Sequence, residues 1–134
     1  MSQLFRLYKN PLIPEGKCVV KIIKVTTEPG TRRAFIEVVF AISGIYGKFA
    51  GIELYCPIHS TPDADPVYEA FMHSFGLTDD ELADAVGRYA KVYVKPVKYK
   101  STSYTGVRFC AQSNRDRAQA EAARKYDEKM ADST

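Results

Sequence analysis

The chain has 134 residues, with 19 Lys and Arg against 16 Asp and Glu for a formal net charge of +3, and 46% of its residues are hydrophobic. That length suits one domain with a small core, and so modest an excess of charge excludes a histone-like coat while fitting one phosphate-binding groove. The sequence has no apolar run long enough to span a membrane, and MSQLFRLYKN lacks the apolar core and cleavage site of a secretory signal, so a cytoplasmic protein with no membrane partner is expected.

In chain order, residues 1–16 read as an irregular arm with Pro11 and Pro14 that ends in the turn signal Pro14-Glu15-Gly16. Cys18 to Val25 alternates and is rich in β-branched residues, a strand closed by Glu28-Pro29-Gly30. Ala34 to Ile42 is a second strand with Ile36, Val38 and Phe40 on its core face; Ser43-Gly44 and Tyr46-Gly47 break it, and Phe49 to Cys56 makes a third. The linker His59 to Asp65 leads into a helix starting near Pro66, where Val67, Ala70, Phe71 and Phe75 recur at helical spacing until Gly76. Thr78 with Glu81 reads as a capping box for a short helix through Val86. Two basic strands follow. Beyond Asn114 the sequence is Ala-rich and charged, with Ala118, Ala122 and Ala123 as inward candidates on a weakly docked helix or a frayed tail. The divisions expected are an arm at 1–16, a domain at 17–112 and a charged tail or helix at 113–134. Cys18, Cys56 and Cys110 are odd in number and lie in strand-like sequence, which suits reduced thiols without a disulfide.

The chemistry concentrates between Val86 and Ala111, where six basic and no acidic residues fall on two strands. Successive strand side chains point to opposite faces. One face then carries Tyr89, Lys91, Tyr93 and Lys95, and the other Ala90, Val92 and Val94, small and apolar as a barrel interior requires. In the next strand Val107 and Phe109 share the inner parity, while Tyr104, Gly106 and Arg108 share the outer. Aromatic planes stack unpaired bases and cations neutralise phosphates, so Arg88, Lys91, Lys95, Lys98, Lys100 and Arg108 are candidate phosphate contacts, and Tyr93, Tyr99, Tyr104 and Tyr55 candidate stacking rings. Tyr55 is expected beside Tyr93. Arg32 and Arg33, before the second strand, are candidate clamps, and Phe35 is left open between inward and outward. By contrast, Thr61 to Asp84 holds Asp63, Asp65, Glu69, Asp79, Asp80, Glu81 and Asp84 with no Lys or Arg. The plainer reading of the basic strands is an amphipathic hairpin with a solvated cationic face.

Enzymatic readings find few players. Cys56-Pro57-Ile58-His59 has the spacing of half a zinc site, but no second closely spaced pair completes it. Asp63, Asp65, Asp79 and Asp80 sit where turn and capping chemistry favours aspartate. No phosphate loop or Ser-His-Asp arrangement is present. Neither enzyme activity, a metal nor a cofactor is expected.

Three strands, a helix, then a two-strand hairpin is the element order of a five-stranded OB-fold barrel, so a mainly β protein of that architecture is expected, with a helix between strands 3 and 4. Gly16, Gly44-Ile45-Tyr46-Gly47-Lys48, Gly87-Arg88 with Val92 and Val94, and Tyr104-Thr105-Gly106-Val107 resemble the motifs of the bacteriophage-encoded OB-fold single-stranded-DNA-binding proteins over roughly residues 12–112. The resemblance implies sequence-tolerant binding of single-stranded DNA during replication or recombination, in the host cytoplasm, with replication proteins as further partners. The C-terminus YDEKMADST departs from the acidic, apolar-tipped tails of many relatives, and with no Trp present stacking falls to Tyr and Phe. The strand edges leave open a homodimer or cover by the N-terminal arm. The alternative is an OB-fold protein-interaction or structural module without nucleic-acid affinity.

Overall fold

A computed structural model of the chain describes residues 10–27, 36–58, 66–78, 84–99 and 102–132, with Thr27, Tyr99 and Asp132 described in backbone only. The protein is mainly β. β1 (Gly16–Thr27), β2 (Ile36–Ile42), β3 (Glu53–Ile58), β4 (Tyr89–Tyr99) and β5 (Thr102–Arg108) form one antiparallel sheet in the order β3-β2-β1-β4-β5. β1 is shared: its first half pairs with β4, from Gly16↔Val94 to Lys21↔Tyr89, and its second half with β2, from Val20↔Ile42 to Thr27↔Ile36. A register shift between Ile22 and Lys24 lets β1 bend as it passes from one partner to the other.

Alternation decides what the sheet buries. Cys18, Val20 and Ile22 of β1, Ile36, Val38 and Phe40 of β2, Leu54, Cys56 and Ile58 of β3, and Ala90, Val92 and Val94 of β4 face one core, with Val107 and Phe109 packed against it. The inward parities expected for Ile36, Val38, Phe40, Val92 and Val94 are those found. All three cysteines are free, and Cys110 is half-buried.

The third strand starts later than expected. Gly44–Phe49 winds into a 3-10 segment kinked at Gly47, so β3 begins at Glu53. α1 (Pro66–Ser74) closes one end of the core with Phe71 and Phe75, whose rings pack with Phe40 and Phe109 at centroid distances of 5.4 to 6.4 Å. Tyr68 and Met72 also face in, whereas Val67 is 50% exposed, because positions 68, 71, 72 and 75 share the inward stripe. Gly76, at φ +66°, ends α1 with paired bonds from Leu77 N to Met72 O at 2.8 Å and from Gly76 N to His73 O at 3.2 Å, a Schellman cap. The capping-box partner Glu81 lies outside the described residues, as do Phe35, His59, Asp63, Asp65, Asp79 and Asp80.

The tail is a docked helix, α2 (Asn114–Asp132). Ser113 and Asp116 cap its start reciprocally: Ser113 Oγ accepts from Asp116 N at 3.0 Å and Asp116 Oδ2 accepts from Ser113 N at 3.1 Å. Ala120 and Ala123 are buried against Val19, Tyr46 and Tyr89, while Ala118 and Ala122 point outward. Asp127 anchors the far end, accepting from Gly44 N at 2.9 Å, Ser43 Oγ at 3.2 Å and Tyr89 Oη at 2.8 Å. Helical Ala spacing alone understated this docking, because most of what holds α2 is polar.

No backbone ladder closes β5 onto β3 among the described residues. The arm instead supplies a side chain. Asn10, 3% exposed, accepts from Tyr55 N at 2.8 Å and donates to Tyr55 O at 2.9 Å and Thr105 O at 3.0 Å, so one amide spans the two strand edges. Thr105 Oγ1 donates to Pro11 O at 2.6 Å and accepts from Ile13 N at 3.1 Å, latching the residues that follow. Gln112 does the same where β4 outruns β5, accepting from Lys91 N at 3.0 Å and donating to Lys91 O at 2.7 Å. No helix among the described residues is long and apolar enough to cross a membrane.

Candidate nucleic-acid interface

Residues directly opposite on paired strands share a face, so register assembles the outer surface. Lys17, Val19 and Lys21 of β1 lie opposite Tyr93, Lys91 and Tyr89 of β4, and Tyr93 and Lys95 lie opposite Arg108 and Gly106 of β5. The expected row Tyr89, Lys91, Tyr93, Lys95 is therefore on one outer face, with Lys17 and Arg108 flanking Tyr93 on either side.

α2 divides that row. It lies over Tyr89 and Lys91, and Lys91 is held there: its ammonium bonds Gln119 Oε1 and sits 4.0 Å from Asp116 Oδ1, leaving its side chain 17% exposed. Lys91 is thus engaged within the fold rather than open to a ligand. Tyr89 donates to Asp127, and burial together with that bond pushes its phenol well above the ordinary value. Asp116 is held below its ordinary value, first by the Ser113 N–H and further by Lys17 and Lys91.

Beyond the helix the face is open. Tyr93, Lys95 and Lys17 are partly or well exposed, and Arg108 and Lys98 are exposed. Among the described residues no carboxylate forms an ion pair with Lys95, Lys98 or Arg108, and Lys17 Nζ reaches Asp116 Oδ2 only at 4.0 Å. Tyr93 Oη donates to Glu15 Oε2, which raises the phenol's pKa and keeps it protonated. The result is a strip of three cations, Lys17, Lys95 and Arg108, around one ring, with a single carboxylate at the ring's tip; Lys98, on the opposite parity of β4, is exposed near the hairpin end.

Several expected members stand elsewhere. Arg88 turns toward the end of α1, donating to Gly76 O at 3.1 Å and Phe75 O at 3.4 Å, in a cavity of about 530 Å³ that Arg117, Arg124, Asp84 and Glu121 also line. Tyr104, on the outer parity, is nonetheless only 8% exposed and offers no open ring plane. Tyr55 lies on β3, at the far end of the hydrogen-bonded ladder from β5, and reaches β5 through the Asn10 amide that bonds both its backbone and Thr105 O. No strand ladder pairs it with Tyr93. Arg32, Arg33 and Lys100 lie outside the described residues, and the side chain of Tyr99 does as well.

Lys17 and Glu15 belong to the strip but were not singled out from the sequence. Lys17 and Lys21 share a parity in KCVVKIIKV, yet only the β1–β4 register brings Lys17 to Tyr93. No group of three His, Cys, Asp or Glu among the described residues is arranged to hold a metal ion. In comparison with known proteins, no protein-family model and no curated sequence matches the chain.

Proposed function

We propose that the protein is an OB-type barrel that binds single-stranded DNA without strong sequence dependence, in replication or recombination, through the strip of Lys17, Tyr93, Lys95 and Arg108, with Lys98 near the hairpin end as a further phosphate contact. The observation that carries this reading is the strip itself: an open aromatic ring flanked in register by cations on adjacent strands, the pairing of stacking plane and phosphate contact that single strands require. The strand order supports the barrel. β1 shared between β2 and β4, with a helix after β3, is the order expected of an OB-fold, and the Asn10 amide spans the gap where β5 would meet β3.

The test is a titration of poly-dT, poly-U and duplex oligonucleotides at two or more salt concentrations. Four phosphate contacts give a slope of log affinity against log salt of about −3, from roughly −0.7 per contact on single strands. Tyr93→Ala lowers affinity by about 1 to 3 kcal/mol and leaves that slope unchanged, since a stacked ring releases no counterions. Duplex bound as tightly as single strand would refute the stacking mechanism.

One observation favours a second reading. The outer face already takes carboxylates, Asp116 near Lys17 and Lys91 and Asp127 on Tyr89, so an acidic protein segment is a competing ligand. That reading predicts no oligonucleotide affinity at moderate salt.

A further inference from the structure

Glu15 is the anomaly of the strip. It lies on the outer parity just before β1, beside three cations that suit phosphate, and its described polar partner is the phenol of Tyr93. A carboxylate repels phosphate and attracts N–H donors. The nucleic-acid backbone carries no such donors, while the Watson–Crick edges of bases do.

We infer that Glu15 gives the site a preference for guanine at the position stacked on Tyr93, an inference that rests on the single-strand reading above. A base laid on the Tyr93 ring carries its edge past the phenol tip to the carboxylate. Each carboxylate oxygen has two acceptor directions, so the bond from Tyr93 leaves both oxygens able to accept. Guanine offers N1–H and the N2 amino group side by side, two donors spaced to meet two oxygens. Adenine and cytosine set one amino group beside a ring nitrogen that is itself an acceptor. Thymine and uracil offer one N–H between two carbonyls. Only guanine satisfies the carboxylate in a bidentate way. Lys17 and Arg108, opposite Tyr93 on the neighbouring strands, hold the flanking phosphates meanwhile.

A structural role, in which Glu15 merely fixes the Tyr93 ring, is separable from this one. Glu15→Gln keeps an oxygen that accepts from the phenol, so it keeps the ring in place, but it replaces the second oxygen with a donor. The experiment measures affinity of the full chain for a fluorescent dT 12-mer and for the same strand with three isolated dG, or three isolated deoxyinosine, in place of dT. Isolated guanines avoid four-stranded structures, and inosine keeps N1–H but lacks the N2 amino group. A bidentate pair at the low, solvent-exposed end of its range gives about a fivefold to tenfold preference for the dG strand over dT. The inosine strand should lose most of that preference, and E15Q and E15A should abolish it while still binding dT. Equal binding of the dG and dT strands, or a dG preference that survives in E15A, overturns the inference and leaves single-strand binding standing. Failure to bind any of the three strands overturns both together.

Discussion

Replacing Asn10 with alanine removes the only polar bridge described between β3 and β5. Three hydrogen bonds of 2.8 to 3.0 Å are lost at a side chain 3% exposed, and Tyr55 N–H, Tyr55 C=O and Thr105 C=O each lose a partner. At about 1 kcal/mol net per bond, and more for a group left dry, the loss comes to about 2 to 4 kcal/mol. Water reaching the part-buried Tyr55 edge keeps the figure from rising further. For a chain of this length about 3 kcal/mol corresponds to a fall in Tm of about 10 °C, and to a fall in urea midpoint of about 2 M with an unchanged m-value. Circular dichroism melts and urea titrations of the parent and Asn10→Ala read both numbers. A Tm loss under about 3 °C would show that the gap between the two edges is closed by something other than this amide.

Lys95→Ala and Arg108→Ala should each flatten the salt slope of single-strand binding by about 0.7, whereas Lys91→Ala should leave it unchanged because its ammonium already faces Gln119 and Asp116; equal effects of Lys91 and Lys95 would place the ligand under α2. The docking of α2 should weaken in acid. Asp116 has a depressed folded pKa, so its contribution is complete above the unfolded value of about 3.9 and is lost as pH falls through the folded value; the difference in Tm between the parent and Asp116→Asn should shrink below about pH 4, and a difference that stays constant down to pH 2 would contradict this.

What the sequence displays and what it conceals divide along physical lines. Parity is local, so Ile36, Val38, Phe40, Val92 and Val94 could be assigned inward from their own strands, and Gly76 marked the end of α1 from its neighbours alone. Register is not local. That Lys17 flanks Tyr93 follows from pairing between segments some seventy residues apart, and that Tyr55 meets β5 follows from an asparagine in the arm. Outward parity does not guarantee exposure, since Tyr104 alternates outward and is buried all the same. Lys91 likewise points outward by alternation, and a helix laid on that face removes it from solvent. One local signal for the tail is present in the sequence. Ser113-Asn114-Arg115-Asp116 has the spacing of a capping box, with Asp where Glu or Gln is usual, and it announces an ordered start for α2 rather than a frayed tail. Asn10 offered no such cue, because a lone asparagine before a proline within an irregular arm looks like any other loop residue.

The central position of β1 has a consequence for how the chain reaches this structure. β1, β2 and β3 follow one another and pair as neighbours, as do β4 and β5, so both units can zip from short connections. The ladder that joins them, β1 with β4, pairs Gly16 with Val94, 78 positions further along the sequence. Closing so long a loop costs entropy before any pair in the ladder returns a gain. The rate-limiting step in folding is then the meeting of two preformed hairpin units rather than the making of either, and substitutions along Gly16–Lys21 should slow folding more than equally destabilising ones in β3.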